Sequence, residues 1–247
     1  MKILVCISKV PDTTSKISFV DNNTKFNEDK IQFIINPYDE WYALVRALEI
    51  KETLGGTVTV ISVGAADVEQ TALRKALAIG ADDAVRIDAL PSESYFTAKQ
   101  IAEYAKQNNY DLVLTGKETI DYNGSEVGGM IAEFLDLPYI SHASKLDIVD
   151  GKAVWEVDII GGKEVITTNF PCVASAAKGM AEARIANMKG IMAARTKTLT
   201  VVPAIPINAL TQVVEYTLPP AKSACKMITT DNMVELVNLL HTEAKVI

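Results

Sequence analysis

The chain has 247 residues, 49% of them hydrophobic, so it can bury a large core as one α/β domain or as one domain with an appendage. It carries 24 basic and 31 acidic residues, a net charge of −7, and only 6% aromatic residues. This composition disfavours nucleic-acid binding, which normally uses a basic face and aromatic stacking platforms. The three cysteines, Cys6, Cys172 and Cys225, lack the spacing of a disulfide framework or metal site, and we predict none.

The first apolar run, Ile3 to Ile7, is too short for a signal peptide, and no apolar stretch approaches the ~18 residues that a membrane crossing requires. No transit peptide is recognised either. We therefore expect a cytoplasmic protein without membrane insertion (the mitochondrial matrix is the equivalent compartment in a eukaryote).

Strand-like and helix-like patterns alternate along the chain as far as Pro138. The predicted elements are strand 3–7, a polar loop or hairpin 9–30, a helix beginning at Asn36-Pro37 and ending at Gly55-Gly56, strand 57–63, a helix from about 67 to Gly80, strand 84–87 and helix 95–106. This alternation predicts a doubly wound parallel sheet with helices on both faces.

The stretch from Tyr110 to Pro138, YDLVLTGKETIDYNGSEVGGMIAEFLDLP, predicts a buried strand, a polar loop and a helix. Ser125 is the expected N-cap, and Gly128 and Gly129 leave room for a phosphate near the unpaired N–H groups of the first turn. The glycines equally suit close helix–sheet packing, and neither common phosphate-loop motif is present. Phosphate binding therefore stays open from local sequence alone.

Ligands of doubly wound sheets bind beyond the carboxyl ends of the strands, where the strand order reverses. We expect three loops to meet there: residues 6–9, the loop after Val63 and the loop after Thr115. The helix start at Asn36-Pro37 is a fourth candidate.

After Pro138 an antiparallel meander is predicted, with strands 145–149, 153–158 and 165–169 joined at Asp150-Gly151 and Gly161-Gly162. Strand 172–176 follows. The segment 184–197, RIANMKGIMAARTK, then combines four basic residues with an apolar series and contains no acid. Two interpretations stay open: a solvated basic helix with a core stripe, or a docking segment with an apolar anchor and a basic rim.

The proline-rich region 202–221 predicts an extended connector, and Thr230 to Asn232 cap a last amphipathic helix that reaches about His241. The apolar face of that helix must pack on this chain's core or on a partner. We predict a division into an α/β domain, 1–201, which includes the meander and the segment 184–197, and a connector with a C-terminal helical arm, 202–247.

Several longer strings occur in the order typical of one family: LVCISKVPDT, INPYDEWYALVRALEIKE, VISVGAADVEQTALRKALAIGADDAV, LTGKETIDYNGSEVGGMIAEFLDLP, IGGKE and RIANMKGIMAARTK. Over essentially its whole length the chain resembles the β subunit of electron transfer flavoprotein. The resemblance implies a Rossmann-like, adenine-nucleotide-binding domain that holds a structural AMP. It also implies a heterodimer whose α subunit holds most of the redox FAD.

In that family the heterodimer takes electrons from dehydrogenases such as acyl-CoA dehydrogenases, as in fatty acid oxidation, and passes them to a quinone oxidoreductase or another acceptor. The resemblance places in the AMP pocket Cys6 (through its backbone), Asn36, Pro37, Tyr38, Asp39, Val63, Asp121, Tyr122, Asn123, Gly124, Ser125, Glu126, Val127, Gly128, Gly129, Met130, Ile131 and Ala132. It places the dehydrogenase anchor at Met188 with Arg184, Lys189, Ile191 and Arg195 around it, a domain-interface role at Glu164, and the α-subunit contact on the terminal arm.

The chain also departs from the mitochondrial type of the family. Thr13 stands where that type has a tyrosine near the flavin, and residues 122–125 replace a more acidic loop. Some members hold a second FAD in the AMP site and bifurcate electrons from NADH; they share the VPDT and NPYD strings, whereas Lys117 is the choice of the non-bifurcating type.

Two further classes stay as alternatives. A nucleotide-hydrolysing or adenylating enzyme normally needs a glycine-rich loop after the first strand, where this chain has SKVPDT. A nucleotide-binding stress-type module that acts alone would not need the basic segment or the terminal arm. His142 and His241 are the only histidines, and neither belongs to a recognisable nucleophile–histidine pattern of a catalytic triad or dyad. We therefore predict an electron carrier subunit and no catalytic residues.

Overall fold

The computed structural model describes residues 1–222 and 224–247. The strands are β1 (Lys2–Cys6), β2 (Lys9–Pro11), β3 (Phe19–Val20), β4 (Lys25–Phe26), β5 (Phe33–Ile35), β6 (Thr57–Gly64), β7 (Asp83–Asp88), β8 (Leu112–Gly116), β9 (Tyr139–Val149), β10 (Lys152–Ile159), β11 (Gly162–Thr168), β12 (Cys172–Ala176) and β13 (Leu199–Pro203). The α-helices are α1 (Asp39–Leu54), α2 (Arg74–Ile79), α3 (Ser94–Asn108), α4 (Val127–Leu135), α5 (Met188–Ala194) and α6 (Met233–Leu239), with π turns at Glu69–Leu73 before α2 and Leu240–Ala244 after α6.

The centre of the molecule is a nine-stranded sheet in the order β11-β10-β9-β12-β8-β1-β6-β7-β13. Neighbouring strands from β9 to β13 in this order are parallel, and only the two pairs at one end, β9 with β10 and β10 with β11, are antiparallel. The predicted doubly wound parallel sheet with an antiparallel extension is therefore confirmed. The extension is continuous with the main sheet, because β9 pairs with β12 on one side and with β10 on the other.

Alternate residues of the central strands face two separate cores. On one face Ile3, Val5 and Leu114 pack with the apolar side chains of α1 and α2, and the meander residue Trp155 belongs to the same core. On the other face Leu4 and Val113 pack with α3 and α4. Helices thus cover both faces, as a sheet with near-continuous apolar strands requires.

The strand order reverses at β1. From β1 the chain proceeds to β6 and β7 on one side, and then to β8 on the other side. The carboxyl ends of β1 and β8 therefore form the switch point of the sheet, which is where this architecture binds ligands.

The structure corrects the predicted start of α1. Asn36 is fully buried, and its amide group accepts a bond from the Ile120 N–H (3.1 Å) and donates to the Glu118 carbonyl (3.1 Å). Tyr38, with a positive φ of 65°, occupies the N-cap position, and the helix begins at Asp39. Asn36 is therefore not the cap, because its side chain holds the loop after β8 instead.

Strand β13 was not expected from the sequence. It pairs in parallel with β7, Leu199 opposite Ala84 and Pro203 opposite Asp88, and forms the far edge of the sheet. Its short sequence LTVVP ends in proline and is mostly exposed, so it lacks both the length and the alternation that identify a strand. The predicted connector therefore begins inside β13, while the domain division between 201 and 202 stays a prediction.

The connector is held at two places. The buried Gln100 side chain of α3 donates to the Ile205 carbonyl and accepts from the Ile205 N–H, both at 2.9 Å. Further along, the Tyr216 ring stacks on Phe19 at 4.8 Å between ring centroids, and its hydroxyl lies 3.3 Å from that of Tyr122. The connector thus crosses the β3–β4 hairpin and reaches the loop after β8.

The terminal arm packs on little of the described chain. Asn232 caps α6 as predicted, by accepting from the Glu235 N–H at 3.3 Å. None of the α6 residues is buried, and Met233, Val234 and Val237 are exposed. Within the described ranges, no helix combines the length and apolar character needed to cross a membrane.

We predict that Gln100→Leu lowers the free energy of unfolding by about 1–3 kcal/mol, because the substitution removes both partners of the Ile205 backbone. It should also speed proteolytic cleavage between residues 203 and 222. Urea denaturation and limited proteolysis measure the two effects. Gln107→Leu, at an exposed position of the same helix, is the matched control, and equal behaviour of the two variants would contradict the anchoring role.

Candidate functional site

Two helix N-termini meet the end of β8 at the switch point. Thr115 lies close to Gly128 in the first turn of α4, and the next residue, Gly116, lies against Glu40 in the first turn of α1. Since α1 and α4 cover opposite faces of the sheet, the end of β8 sits between two positive helix ends. This arrangement favours an anionic ligand at the carboxyl edge.

The first turn of α4 differs from its prediction. Ser125 is not the N-cap: it has a positive φ of 55°, and its hydroxyl donates to the Glu118 carboxylate at 2.9 Å. Glu126 occupies the cap position, and no described side chain caps the turn. The N–H groups at the start of α4 are therefore left for a ligand or for water.

A buried hydroxyl and a close contact border this turn. Thr115 Oγ1 has no hydrogen-bond partner among the described residues, although the residue is almost fully buried. A Cβ at Gly128 would lie 2.7 Å from that oxygen and 2.9 Å from the Tyr139 hydroxyl, so only glycine allows this approach. An unpartnered buried hydroxyl beside an uncapped helix start fits a phosphate group.

The first turn of α1 already carries a buried carboxyl group, that of Glu40. The Glu40 carboxylate accepts from the Ser8 N–H at 2.7 Å and from the Ser8 hydroxyl at 2.6 Å, and only 6% of the residue is exposed. The pKa of Glu40 is raised to about 8, mainly by burial and in part by the charge of Asp121, while the bonds from Ser8 oppose the rise. A Cβ on Gly116 would come within 2.8 Å of the Glu40 backbone nitrogen, so this contact also requires glycine.

Other charges at the edge are mostly acidic. Burial raises the pKa of Asp39, and Lys117 lowers it in part. The Lys117 ammonium lies 3.0 Å from the Glu118 carboxylate, so a neighbouring acid already balances this cation. The edge thus offers backbone N–H groups and hydroxyls to an anion more than it offers cationic side chains.

The structure brings most of the predicted nucleotide residues to this edge. Asp121 to Glu126 form an exposed loop. Tyr38, which directly precedes α1, is 60% exposed. Cys6 and Val63 are buried at the ends of β1 and β6, and burial, helped by Glu40, strongly raises the pKa of the Cys6 thiol. Ile131 and Ala132 pack in the core with α3, so only the earlier part of the range 121–132 lies open at the edge.

The sequence pattern did not single out Ser8, Glu40, Thr115 or Tyr139 as site residues. The signal for Thr115 is a lone hydroxyl residue at the end of the apolar run LVLT, directly at a strand's carboxyl end. The signal for Glu40 is the acid after NPYD, but its bond to Ser8 spans 32 residues and is not visible locally.

The basic segment lies elsewhere, against the C-terminal end of α2. Arg74 donates to the carbonyls of Ala194 and Lys197, and the Lys197 ammonium donates to the carbonyls of Leu77 (3.0 Å) and Ala81 (2.6 Å). Lys197 therefore completes the end of α2, and burial lowers the pKa of its amine.

The apolar series of this segment is on the surface and is not a core stripe. Ile185, Met188, Ile191 and Met192 are all exposed, Met188 to 73%. Arg184 forms a two-point ion pair with Glu52 at 2.6 and 3.0 Å, whereas Lys189 and Arg195 are exposed. Two of the four predicted basic residues thus serve the fold, and two remain beside an exposed apolar surface.

Glu164 lies on β11, the edge strand, and is exposed. The described residues contain no group of three or more histidine, cysteine or acidic side chains arranged to hold a metal ion. The interface role of Glu164 stays a prediction.

Comparison with known proteins gives a consistent result. The family described as "Electron transfer flavoprotein domain" matches residues 23–207. The chain is 36% identical over 261 aligned positions to the electron transfer flavoprotein subunit beta of Bacillus subtilis, with all of both chains covered. It is 31% identical over 245 positions to the human protein of the same name, covering 95% of each chain, and 31% identical over 259 positions to the caffeyl-CoA reductase-Etf complex subunit CarD of Acetobacterium woodii, covering 99% of this chain and 98% of that one.

We predict that Gly116→Ala destabilises the protein by about 1–3 kcal/mol, because the new methyl group must displace Glu40 or its backbone. The control is Gly162→Ala, where no described atom lies within 4 Å of the added Cβ; its effect should stay within about 0.5 kcal/mol. Chemical denaturation of both variants gives the comparison. Equal stabilities would mean that the end of β8 can move away from α1 at little cost.

Proposed function

This chain belongs to the electron transfer flavoprotein family, where its relatives are β subunits, and we propose that it binds AMP and pairs with an α subunit that holds the FAD. The pair would carry electrons from a dehydrogenase of the acyl-CoA type to a quinone oxidoreductase or another acceptor. The relatives are named as subunits of a carrier, and we propose the same role here.

One observation carries the nucleotide proposal: the uncapped start of α4 lies beside the unpartnered hydroxyl of Thr115 at the switch point of the sheet. The phosphate would bind the first N–H groups of α4 and the Thr115 hydroxyl. The loop 121–126 would cover the ribose, and the exposed ring of Tyr38 would contact the adenine. Asn36 would act through the loop that its amide holds, because both ends of that amide are already bonded.

Two exposed surfaces support the proposed partners. The FAD supplies the electron-transfer chemistry when bound in the α subunit, and this chain's part is to assemble with that subunit and to dock the dehydrogenase. The apolar arm around α6 suits the α subunit, because it is unburied on the described chain. The surface around Met188, with Lys189 and Arg195 exposed beside it, suits a dehydrogenase: an apolar anchor with a basic rim.

A second candidate is the bifurcating form, which holds a second FAD in place of AMP. It is favoured by the VPDT and NPYD strings, which, by the resemblance, this chain shares with members of that form. Lys117 and the acidic surroundings of the β1 end favour AMP instead.

We expect the purified chain, after acid precipitation, to release AMP in about one equivalent, because one uncapped helix start binds one phosphate. Chromatography of the supernatant against nucleotide standards measures this directly. Release of FAD would establish the bifurcating form, and release of ATP would favour the enzyme class.

We predict that Met188→Ala slows electron transfer from the dehydrogenase to the heterodimer about tenfold, since an exposed apolar anchor contributes through the area it buries on docking. Flavin content and heterodimer assembly should not change. Leu90→Ala is the matched control, because Leu90 is exposed to 74% and follows the opposite end of β7. Loss of flavin in Met188→Ala would show that Met188 supports the fold of the heterodimer instead.

A further inference from the structure

We propose that Glu40 limits the nucleotide site to a single phosphate, because its carboxylate occupies the place at which a second phosphate would bind. This inference rests on the proposed AMP-binding function and identifies the residue that sets its specificity. It separates nucleoside monophosphates from nucleotides with a diphosphate or pyrophosphate group.

The donors after the end of β1 are already occupied. In doubly wound folds the pyrophosphate binds the loop after the first strand and the start of the helix that follows. Here the Ser8 N–H and hydroxyl both donate to the two oxygens of the Glu40 carboxylate, at 2.7 and 2.6 Å. The protein's own carboxylate therefore satisfies the donors that a second phosphate would use.

The Glu40 side chain also takes the space that a second phosphate would need. Glu40 is almost fully buried, and its Cγ would lie only 2.7 Å from a Cβ at Gly116, so the side chain fills the volume above the ends of β1 and β8. The loop after β1, SKVPDT, contains no glycine that would let a pyrophosphate approach its backbone. Only the start of α4 combines uncapped N–H groups with an unpartnered hydroxyl among the described residues.

The charged groups around Glu40 also disfavour a second phosphate. Glu40 is faced by Asp121 from the loop after β8 and by the Cys6 thiol from β1, and Asp39 precedes it on α1. Two cations near this edge are already paired, Lys117 with Glu118 and Lys9, after β1, with Asp67, after β6. The charge of Lys117 also acts on Asp39. A second phosphate would therefore approach the carboxyl groups of Glu40, Asp121 and Asp39 while both of these cations are already paired, and this lowers the affinity for that phosphate.

The state of Glu40 also gives the discrimination a pH dependence. Because burial raises the pKa of Glu40 to about 8, the carboxyl is partly protonated near neutral pH and becomes ionised above it. An ionised Glu40 repels a second phosphate more strongly than a neutral one. Discrimination between AMP and ADP should therefore increase as the pH rises through about 8.

The test uses the full chain, freed of bound nucleotide, titrated with AMP and with ADP in a calorimeter. The wild-type chain should bind AMP at least about tenfold more tightly than ADP. Glu40→Gln keeps the size but removes the charge, and should reduce this ratio at least about threefold through a gain in ADP affinity. Glu133→Gln, at an exposed position of α4, is the matched control and should leave the ratio unchanged.

The outcomes separate this inference from the proposal beneath it. A wild-type chain that fails to bind AMP would contradict the proposed function itself. Binding of AMP with equal binding of ADP, or a ratio that Glu40→Gln leaves unchanged, would overturn only the role of Glu40. If Glu40→Gln does not fold, the wild-type ratio between about pH 7.5 and about pH 9 decides, since a flat profile contradicts the proposal.

Discussion

The proposed nucleotide site depends on which acceptors lie near the free N–H groups of two helix N-termini, those of α1 and α4, at one edge of the sheet. Every helix begins with N–H groups that need an acceptor, and the dipole makes that acceptor preferentially an anion. Neither start has a side-chain cap, but the first turn of α1 carries two acids, Asp39 and Glu40, and the Glu40 carboxyl group bonds to Ser8 at the end of β1. At α4 no described side chain takes that place. The asymmetry between the two starts determines where a ligand can bind.

The parallel sheet also separates two surfaces. The nucleotide edge lies at the carboxyl ends of β1 and β8, whereas α5 lies near the start of β7, where the Thr198 carbonyl accepts from the Ala84 N–H at 3.0 Å. Arg74 and Lys197 fix α5 there by bonds to backbone carbonyls. The surface around Met188, which we propose for docking, is thus built without any group of the proposed nucleotide edge, so changes to one surface need not alter the other.

Patterns with a strong period were sufficient to predict most of the fold. The apolar runs of β1, β6 and β8, the buried series in α2 and the turn at Asp150-Gly151 all lie where the sequence indicated. The sequence was insufficient where a long-range contact decides the local structure. Asn36 resembles a helix cap but bonds to a loop 82 residues away, and Ser125 resembles one but bonds to Glu118. In the site, the position of the loops was predictable from topology, whereas the carboxylate of Glu40 at Ser8 required the folded chain.

The short helix α6 has a consequence for how this chain meets its partner. α6 with the π turn that continues it spans only residues 233–244 and contains no buried residue, so its few hydrogen bonds barely offset helix nucleation in water. Its helical content in solution is therefore set by whatever surface covers it, and association must order the segment at the same moment as it buries the segment. Such coupling lowers the affinity gained per unit of contact area but lets a thin arm wrap a large surface.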